Sequence, residues 1–200
     1  SLMYLFLSNF FENITPYMPD RYKEGYGISI EGINFAKEKG INLIIALDCG
    51  IKAVENVRYA KENKIDFIVC DHHKPGIDLP NAVAILNPKK SNCNYPFKDL
   101  CGCGIGFKLV QALSIQWDIN FDIVTDYLDL VAIATVSDLV PIVGENRILC
   151  YHGMKKLNET KKPGLKKFLS LSKSNTNTSD ISFKIAPRIN SAGRIDHSLE

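Results

Sequence analysis

Two groups of polar residues follow short apolar runs of the sequence and have the chemistry of metal ligands. Asp48 comes directly after the run INLIIAL, and the triplet Asp71, His72 and His73 comes directly after the run IDFIVC. If both runs are parallel strands, their carboxyl ends meet at one edge of the sheet, where open α/β folds bind ligands. Carboxylate and imidazole groups together suit Mn²⁺, Mg²⁺, Fe or Zn²⁺. The spacing therefore predicts a metal site at this edge.

Each of these side chains also has an ordinary structural interpretation. An Asp after a strand often caps the next helix, and a His-His pair is more often solvated or in the core than on a metal. Their occurrence together at one predicted edge favours a metal site.

A third carboxylate, Asp138, follows the apolar stretch YLDLVAIATVS and precedes LVP. In such surroundings a carboxylate must be paired, hydrogen-bonded or coordinating, although a helix cap remains the alternative.

The elements that would position these residues alternate along the first half of the chain. The runs 41–47 and 65–70 predict buried strands on either side of a helix over 51–64, which is a βαβ unit with parallel strands. Three further elements are predicted around it: a helix over 30–39 and strands over 14–17 and 82–86. The predicted fold class is therefore α/β, an open and mainly parallel sheet with flanking helices.

The second half of the chain is predicted to be mostly helical. Helical spacing covers four segments, 104–116, 121–136, 146–156 and 164–171. The polar tract 172–180 predicts a loop. We place a domain boundary near residue 145, between an α/β domain (1–145) and a helical connector that leads into a following segment (146–200). Residues 2–11 begin with the character of a helix interior, so we expect a fragment of a larger protein.

The composition narrows the classes of function. The 200 residues carry 24 Lys and Arg against 22 Asp and Glu, a net charge of +2. This balance argues against a strongly basic nucleic-acid-binding arm, although not against a local basic groove. No apolar run approaches the ~20 residues of a membrane span, so no membrane association is expected. The six cysteines form no CxxC pair, which argues against structural zinc and favours a reducing cytoplasm.

Six blocks occur in order along nearly the whole chain and together resemble the DHH phosphoesterase superfamily. The blocks are RYKEGYG, ALDCG, VCDHH, NYPFKDLCGCGIGFK, ATVSDLVP and PRINSAGR. The triplet DHH is weak by itself. The blocks RYKEGYG, NYPF and PRINSAGR indicate the branch of single-strand-DNA-specific exonucleases rather than the pyrophosphatase or oligoribonuclease branches.

The resemblance implies a two-metal hydrolysis of phosphodiester bonds that uses Mn²⁺ or Mg²⁺. It would run 5′ to 3′ on single-stranded DNA and release mononucleotides, in DNA repair and recombination. Asp48, His72 and Asp138 resemble the metal ligands of the family. His73 would contact a phosphate oxygen, and Asp71 would orient a histidine. The substrate phosphates would be bound by three arginines, whose guanidinium groups suit bidentate contacts: Arg21, Arg188 and Arg194.

One motif of the family does not occur in the chain. The family's first motif, an Asp-x-Asp-x-Asp-Gly turn, would precede Ser1. Since it supplies further metal ligands, we expect these 200 residues alone to be inactive as a nuclease. The resemblance also implies a cytoplasmic monomer that binds single-stranded DNA, with a single-strand-binding protein and a helicase as partners.

Three alternatives stay open at the level of the sequence. A phosphodiesterase acting on short oligonucleotides or cyclic dinucleotides would share the same motifs. A non-catalytic binding module would keep the fold and lose the metal ligands, so the presence of Asp48, His72 and Asp138 favours catalysis. A Rossmann-type dinucleotide binder would need GxGxxG after its first strand, whereas the predicted strands here are followed by Asp and His.

Overall fold

A computed structural model describes residues 2–170 and 175–195, the last four of these by their backbone only. The chain divides into two compact units, one formed by residues 15–98 and the other by residues up to 14 together with those from 99 onward. In chain order the elements are α1 (Leu2–Leu7), α2 (Ile30–Glu38), β1 (Leu43–Leu47), α3 (Val54–Glu62), β2 (Asp66–Cys70), β3 (Ala84–Leu86), α4 (Gly102–Gln116), α5 (Phe121–Thr125), α6 (Leu128–Ser137), α7 (Gly144–Asn158), α8 (Pro163–Leu169), α9 (Thr178–Asp180), a π-helical turn (Ile181–Ile185) and α10 (Ala186–Ile195).

The unit of residues 15–98 contains a three-stranded parallel sheet with the strand order β1-β2-β3. Leu47 pairs with Cys70 at the end of the first strand pair, and Cys70 pairs with Leu86 at the end of the second. The three strands therefore end level with one another, at one edge of the sheet. The predicted fold class, an open parallel sheet with flanking helices, is confirmed.

The core of this unit lies between the sheet and its two helices. Ile33 and Ala36 of α2, Val57 and Ala60 of α3 and Phe67 of β2 are all buried and belong to one apolar cluster. These helix positions are three residues apart within each helix, so they share a face, and burial of that face is what holds each helix on the sheet.

The predicted strand over 14–17 is wrong, because residues 11–29 form no strand or helix. Pro16 and Pro19 interrupt this stretch, and a proline has no N–H to donate to a strand ladder. The ring of Tyr17 packs against Phe35, with 5.2 Å between the ring centroids. Its hydroxyl donates to the Glu24 carboxylate at 2.7 Å. Side-chain contacts thus order this segment in place of a ladder.

The second unit is built around α6, which is buried along most of its length. Seven of its ten residues are apolar, and two of the three polar ones, Asp129 and Thr135, are themselves buried. Helix α7 crosses α6 at Gly153, where an added Cβ would overlap the Leu128 carbonyl oxygen and lie 2.6 Å from the Ala132 Cβ. The absence of a side chain at Gly153 is therefore what allows the two backbones to touch.

Two predicted helices differ from expectation, one by ending early and the other by being divided. The helix predicted over 2–11 ends at Leu7, because the Asn9 amide donates to the Leu5 carbonyl at 2.7 Å and so replaces the next helical bond. The helix predicted over 121–136 is divided into α5 and α6. At the division, the Lys162 ammonium donates to the Asp126 carbonyl at 2.8 Å, which occupies an acceptor that a continuous helix would use.

The polar tract predicted as a loop lies partly outside the described residues, which omit 171–174. Its end forms the short helix α9, whose capping box joins Asn177 and Asp180 through two reciprocal hydrogen bonds. The π-helical turn follows and continues into α10, in which Pro187 is the second residue. Among the described residues, no helix is both long enough and apolar enough to cross a bilayer.

Candidate metal centre

Polar residues directly follow all three strands, at the carboxyl edge of the sheet. The Asp48 N–H donates to the Cys70 carbonyl at 2.8 Å, and the Asp71 N–H donates to the Leu86 carbonyl at 3.0 Å. The hydrogen-bond ladder therefore continues one residue beyond β1 and β2. It fixes the backbone from which both carboxylates project.

Asp48 has a left-handed backbone conformation, with φ of 64°. Asp adopts this region more readily than most residues, and such conformations are common at functional sites. Gly50 completes the turn with φ of 106°, and a Cβ there would lie 2.9 Å from the Ile28 side chain. The turn directs the Asp48 carboxylate toward the next strand end, where its Oδ1 lies 3.3 Å from Nε2 of His72.

Asp71 directly follows β2 and is buried, with 1% of its surface exposed. Its Oδ2 accepts the Ile51 N–H at 2.9 Å, and its Oδ1 lies 2.6 Å from Nδ1 of His73 and accepts the His73 N–H at 3.1 Å. Burial by itself raises the pKa of the Asp71 carboxyl, but these hydrogen bonds outweigh it and hold the pKa below its ordinary value. Asp71 is therefore a carboxylate, and its contact with Nδ1 leaves Nε2 of His73 for other ligands.

Asp48, His72 and His73 form a cluster that can hold a cation. One ligand atom from each side chain lies within 4.8 Å of those of the other two. The imidazole rings of the two histidines are 4.5 Å apart between centroids. His72 is buried, whereas Asp48 and His73 are each 57% exposed along their side chains, so the cluster is open to solvent. One carboxylate and two imidazoles are a suitable donor set for Mn²⁺.

Two cysteine thiols flank the cluster and have raised pKa values. Burial, with the negative charges of Asp71 and Asp48, raises the pKa of Cys49 to about 11. Burial and the Asp71 charge raise the pKa of Cys70 to about 12. A thiol binds metal as the thiolate, so at neutral pH both groups behave as small apolar side chains.

Asn87 is a residue at this edge that the sequence analysis missed. It directly follows β3 and is buried, with 2% exposure. Its amide donates to the His73 carbonyl at 2.9 Å and its Oδ1 accepts the Lys89 N–H at 2.8 Å. The signal was present, since an Asn-Pro pair follows the third predicted strand just as Asp48 and Asp71 follow the first two.

Asp138 lies in the other unit, as the C-cap of α6. It is exposed there, in the helix-capping position that the sequence left open as the alternative. The buried carboxylate of this stretch is Asp129, which accepts hydrogen bonds from Thr160 Oγ1 at 2.8 Å and from Lys162 Nζ at 2.7 Å. The assignment of Asp138 as a metal ligand stays a prediction.

The three predicted phosphate-binding arginines lie in different parts of the chain. Arg21 belongs to the same unit as the cluster, and its guanidinium lies 5.1 Å from the centroid of the Tyr26 ring. Arg188 is on α10, where its Nη1 donates to the Lys184 carbonyl at 2.6 Å. Arg194 is also on α10, but its side chain is outside the described part of the structure. Their roles remain predictions.

An open parallel sheet that gathers a carboxylate and two imidazoles at its carboxyl edge defines an α/β domain with a cluster that can hold a cation. The sequence places this domain within a known group of proteins. The chain belongs to the DHH family: the pattern described as "DHH family, N-terminal domain" matches residues 1–135. The resemblance found in the sequence motifs is thereby confirmed.

Curated relatives carry the name single-stranded-DNA-specific exonuclease RecJ. The protein of Bacillus subtilis (strain 168) is 43% identical over 185 residues, which are 91% of this chain and 23% of the relative. The protein of Escherichia coli (strain K12) is 39% identical over 197 residues, which are 92% of this chain and 34% of the relative. The chain thus spans about a quarter to about a third of the length of these relatives.

Solved structures of RecJ proteins share the fold. An exonuclease RecJ bound to manganese superimposes with a TM-score of 0.88 at 29% identity, covering 99% of this chain and 50% of that one. RecJ from Thermus thermophilus in complex with Mn²⁺ superimposes with a TM-score of 0.84 at 26% identity, covering 99% of this chain and 28% of that one.

Proposed function

We propose that this chain is the metal-binding part of a single-strand-DNA-specific exonuclease. The enzyme hydrolyses phosphodiester bonds in the 5′ to 3′ direction and releases mononucleotides, with Mn²⁺ or Mg²⁺. The observation that carries this proposal is the cluster of Asp48, His72 and His73 at the carboxyl edge of the sheet. The names of the relatives favour single-stranded DNA over short oligonucleotides or cyclic dinucleotides as substrate.

Each residue of the edge has a task that follows from its contacts. Asp48 and His72 hold the cation, since their Oδ1 and Nε2 atoms are 3.3 Å apart. Asp71 fixes the ring of His73 through Nδ1, and Nε2 of that ring contacts a phosphate oxygen. Asp138 is proposed as a further ligand. When bound, the metal ions activate water and stabilise the charge that develops on the phosphate oxygens.

The donor set favours manganese over magnesium. Mg²⁺ prefers shells made of oxygen ligands, whereas Mn²⁺ accepts imidazole nitrogen as well. His72 is buried beside Asp48, so its nitrogen lies within reach of any ion that the carboxylate binds. Catalysis with Mn²⁺ should therefore exceed catalysis with Mg²⁺ at equal concentration.

The substrate side of the proposal rests on the arginines. Arg21, Arg188 and Arg194 bind phosphates of the strand, for which the planar guanidinium group provides paired donors. Replacing Arg188 with Lys keeps the charge but loses this fork, so it should weaken binding of single-stranded DNA. Equal affinity of the Arg188→Ala variant and the unaltered protein for labelled single-stranded DNA would exclude Arg188 from the binding surface.

The experiment is a nuclease assay with a matched pair of histidine variants. The complete polypeptide that carries these residues is incubated with Mn²⁺ and labelled single-stranded DNA, with and without a chelator. His72→Ala should lower the rate about 100-fold or more, because it removes a metal ligand. His152→Ala is the control, since His152 is exposed on α7. Release that survives the chelator, or equal rates for the two variants, would reject the proposal.

We also propose that the protein is located in a reducing cytoplasm. All six cysteines are free thiols, which is the usual state in that compartment. A single-strand-binding protein and a helicase are proposed as partners and a monomer as the active form, on the family resemblance. Size-exclusion chromatography with light scattering tests the oligomeric state, and co-purification with each protein tests the partners.

A further inference from the structure

The segment that carries the two histidines lies beyond the end of β2, so strand pairing does not hold it. The last ladder bond is the one from the Asp71 N–H to the Leu86 carbonyl. From there the chain turns away through His72 and His73. Any fixed geometry of the histidine pair must therefore come from side-chain contacts.

Those contacts hold His73 on two sides. On the N-terminal side, the Asp71 carboxylate binds both the N–H and Nδ1 of His73. On the C-terminal side, the Asn87 amide donates to the His73 carbonyl. Asn87 is itself fixed, because it is buried and its Oδ1 accepts the Lys89 N–H. The end of β3 thus reaches across to the histidine pair through one amide group.

This position needs both halves of a carboxamide. The Nδ2 group must donate to a carbonyl while Oδ1 accepts from a backbone N–H. An aspartate of the same shape could accept but not donate, and it would set a carboxylate oxygen against the His73 carbonyl. An alanine would leave both backbone groups without their partner.

We propose that Asn87 is a positioning residue that sets the affinity of the Asp48, His72 and His73 cluster for a divalent cation. It acts through the backbone of His73, which directly follows the proposed ligand His72, and does not touch the cation. This inference rests on the proposed function, since it assigns Asn87 to the same centre. Groups that orient metal ligands typically change metal affinity about 10- to 100-fold when they are replaced.

Asn87→Asp separates positioning from electrostatics. The substitution adds a negative charge near the cluster, which by Coulomb attraction alone would tighten binding of a cation. If Asn87 positions the histidines through its donor, the same substitution should instead weaken Mn²⁺ binding by about 10-fold or more. Asn87→Ala should weaken it as well. Asn81→Asp is the matched control, because Asn81 is exposed in the same unit, and it should leave the affinity unchanged.

Mn²⁺ affinity is measured by titration with detection of the free ion by electron paramagnetic resonance, at a temperature where circular dichroism shows each variant folded. A second readout is the imidazole resonances of His72 and His73 in metal-free protein. These should broaden or split in both Asn87 variants, while those of His152 stay unchanged.

The outcomes separate this inference from the proposed function. Failure of the unaltered protein to bind Mn²⁺ would overturn the proposed function, and unchanged imidazole resonances would then also overturn the role of Asn87. If the unaltered protein binds Mn²⁺ but Asn87→Asp binds it as tightly or more tightly, only the role of Asn87 is refuted. Weaker Mn²⁺ binding by both Asn87 variants, with altered resonances of the histidine pair alone, supports it.

Discussion

Replacing Gly153 with Ala is expected to destabilise the chain, because this glycine brings α7 into backbone contact with α6. A Cβ at this position would overlap the Leu128 carbonyl oxygen and lie 2.6 Å from the Ala132 Cβ. Neither atom can turn aside by changing a rotamer, since one belongs to the backbone and the other is fixed to it. The two helices must therefore move apart.

The magnitude follows from two opposing effects. Ordinary contacts between carbon atoms need about 3.5–4.0 Å, so the helices must separate by about 1 Å at the crossing. Overpacking of this kind costs about 1–3 kcal/mol, and α6 is buried along most of its length, so we expect the upper end. In the opposite direction, replacing Gly with Ala inside a helix stabilises the helix by about 1 kcal/mol. The net expectation is a loss of about 2 kcal/mol in the free energy of unfolding.

Urea denaturation followed by circular dichroism measures this loss, with Gly164→Ala as the control. Gly164 lies near the start of α8, and a Cβ there would have no neighbour within 4 Å. That substitution should stabilise the chain by about 0.4–1 kcal/mol, through the lower entropy of the unfolded state. A Gly153→Ala variant as stable as the unaltered chain would show that α6 and α7 do not touch at this point.

Four further substitutions test individual hydrogen bonds. Asp71→Asn cannot accept all the hydrogen bonds that the carboxylate accepts, so we expect a loss of about 1–3 kcal/mol in unfolding free energy. Burial and the Glu24 hydrogen bond raise the pKa of Tyr17 to about 12. Tyr17→Phe should therefore remove from the tyrosinate titration a step with its midpoint near pH 12. Glu24→Gln should lower the pKa of Tyr17. Lys162→Met leaves the buried Asp129 carboxylate without its positively charged partner. Breaking a buried ion pair costs about 3–5 kcal/mol in unfolding free energy. Because Lys162 is 30% exposed, we expect a loss at the lower end of this range.

The same measurements can contradict these expectations. For Asp71→Asn and Lys162→Met, unchanged urea midpoints would show that the hydrogen bonds contribute nothing net. For Tyr17, the raised pKa means that the neutral phenol stabilises the fold fully below its ordinary pKa, and this stability is lost as the pH rises toward 12. A tyrosinate midpoint near the ordinary value would show that Tyr17 is solvated.

The edge of the sheet could be predicted because two general rules act together there. Short apolar runs identified the strands, and parallel strands place their carboxyl ends at one edge. Asp48 and His72 therefore meet in the structure as the sequence indicated. Asn87 follows the same rule and could have been found in the same way. Its hydrogen bond to His73 could not, since it depends on the path of the loop between β2 and β3.

The errors arose where side chains compete with the backbone or where long-range partners decide. Asn9 ends α1 by binding a carbonyl, which the apolar pattern over 2–11 does not show. In the stretch around α6, the apolar pattern singled out Asp138 as a candidate ligand and gave no sign that Asp129 is the buried carboxylate. The difference is made by Lys162, which lies far along the chain and reaches Asp129 only in the folded state.

The central claim is that Asp48 and His72 bind a divalent cation at the carboxyl edge of the sheet. Its most direct test is an anomalous-scattering map at the manganese absorption edge, from crystals of the protein grown with Mn²⁺. We expect a manganese peak within bonding distance of the Asp48 carboxylate and His72 Nε2, which requires a shell of about 2.0–2.6 Å. Manganese bound elsewhere, with this pair of side chains free of metal in protein that hydrolyses single-stranded DNA, would contradict the account.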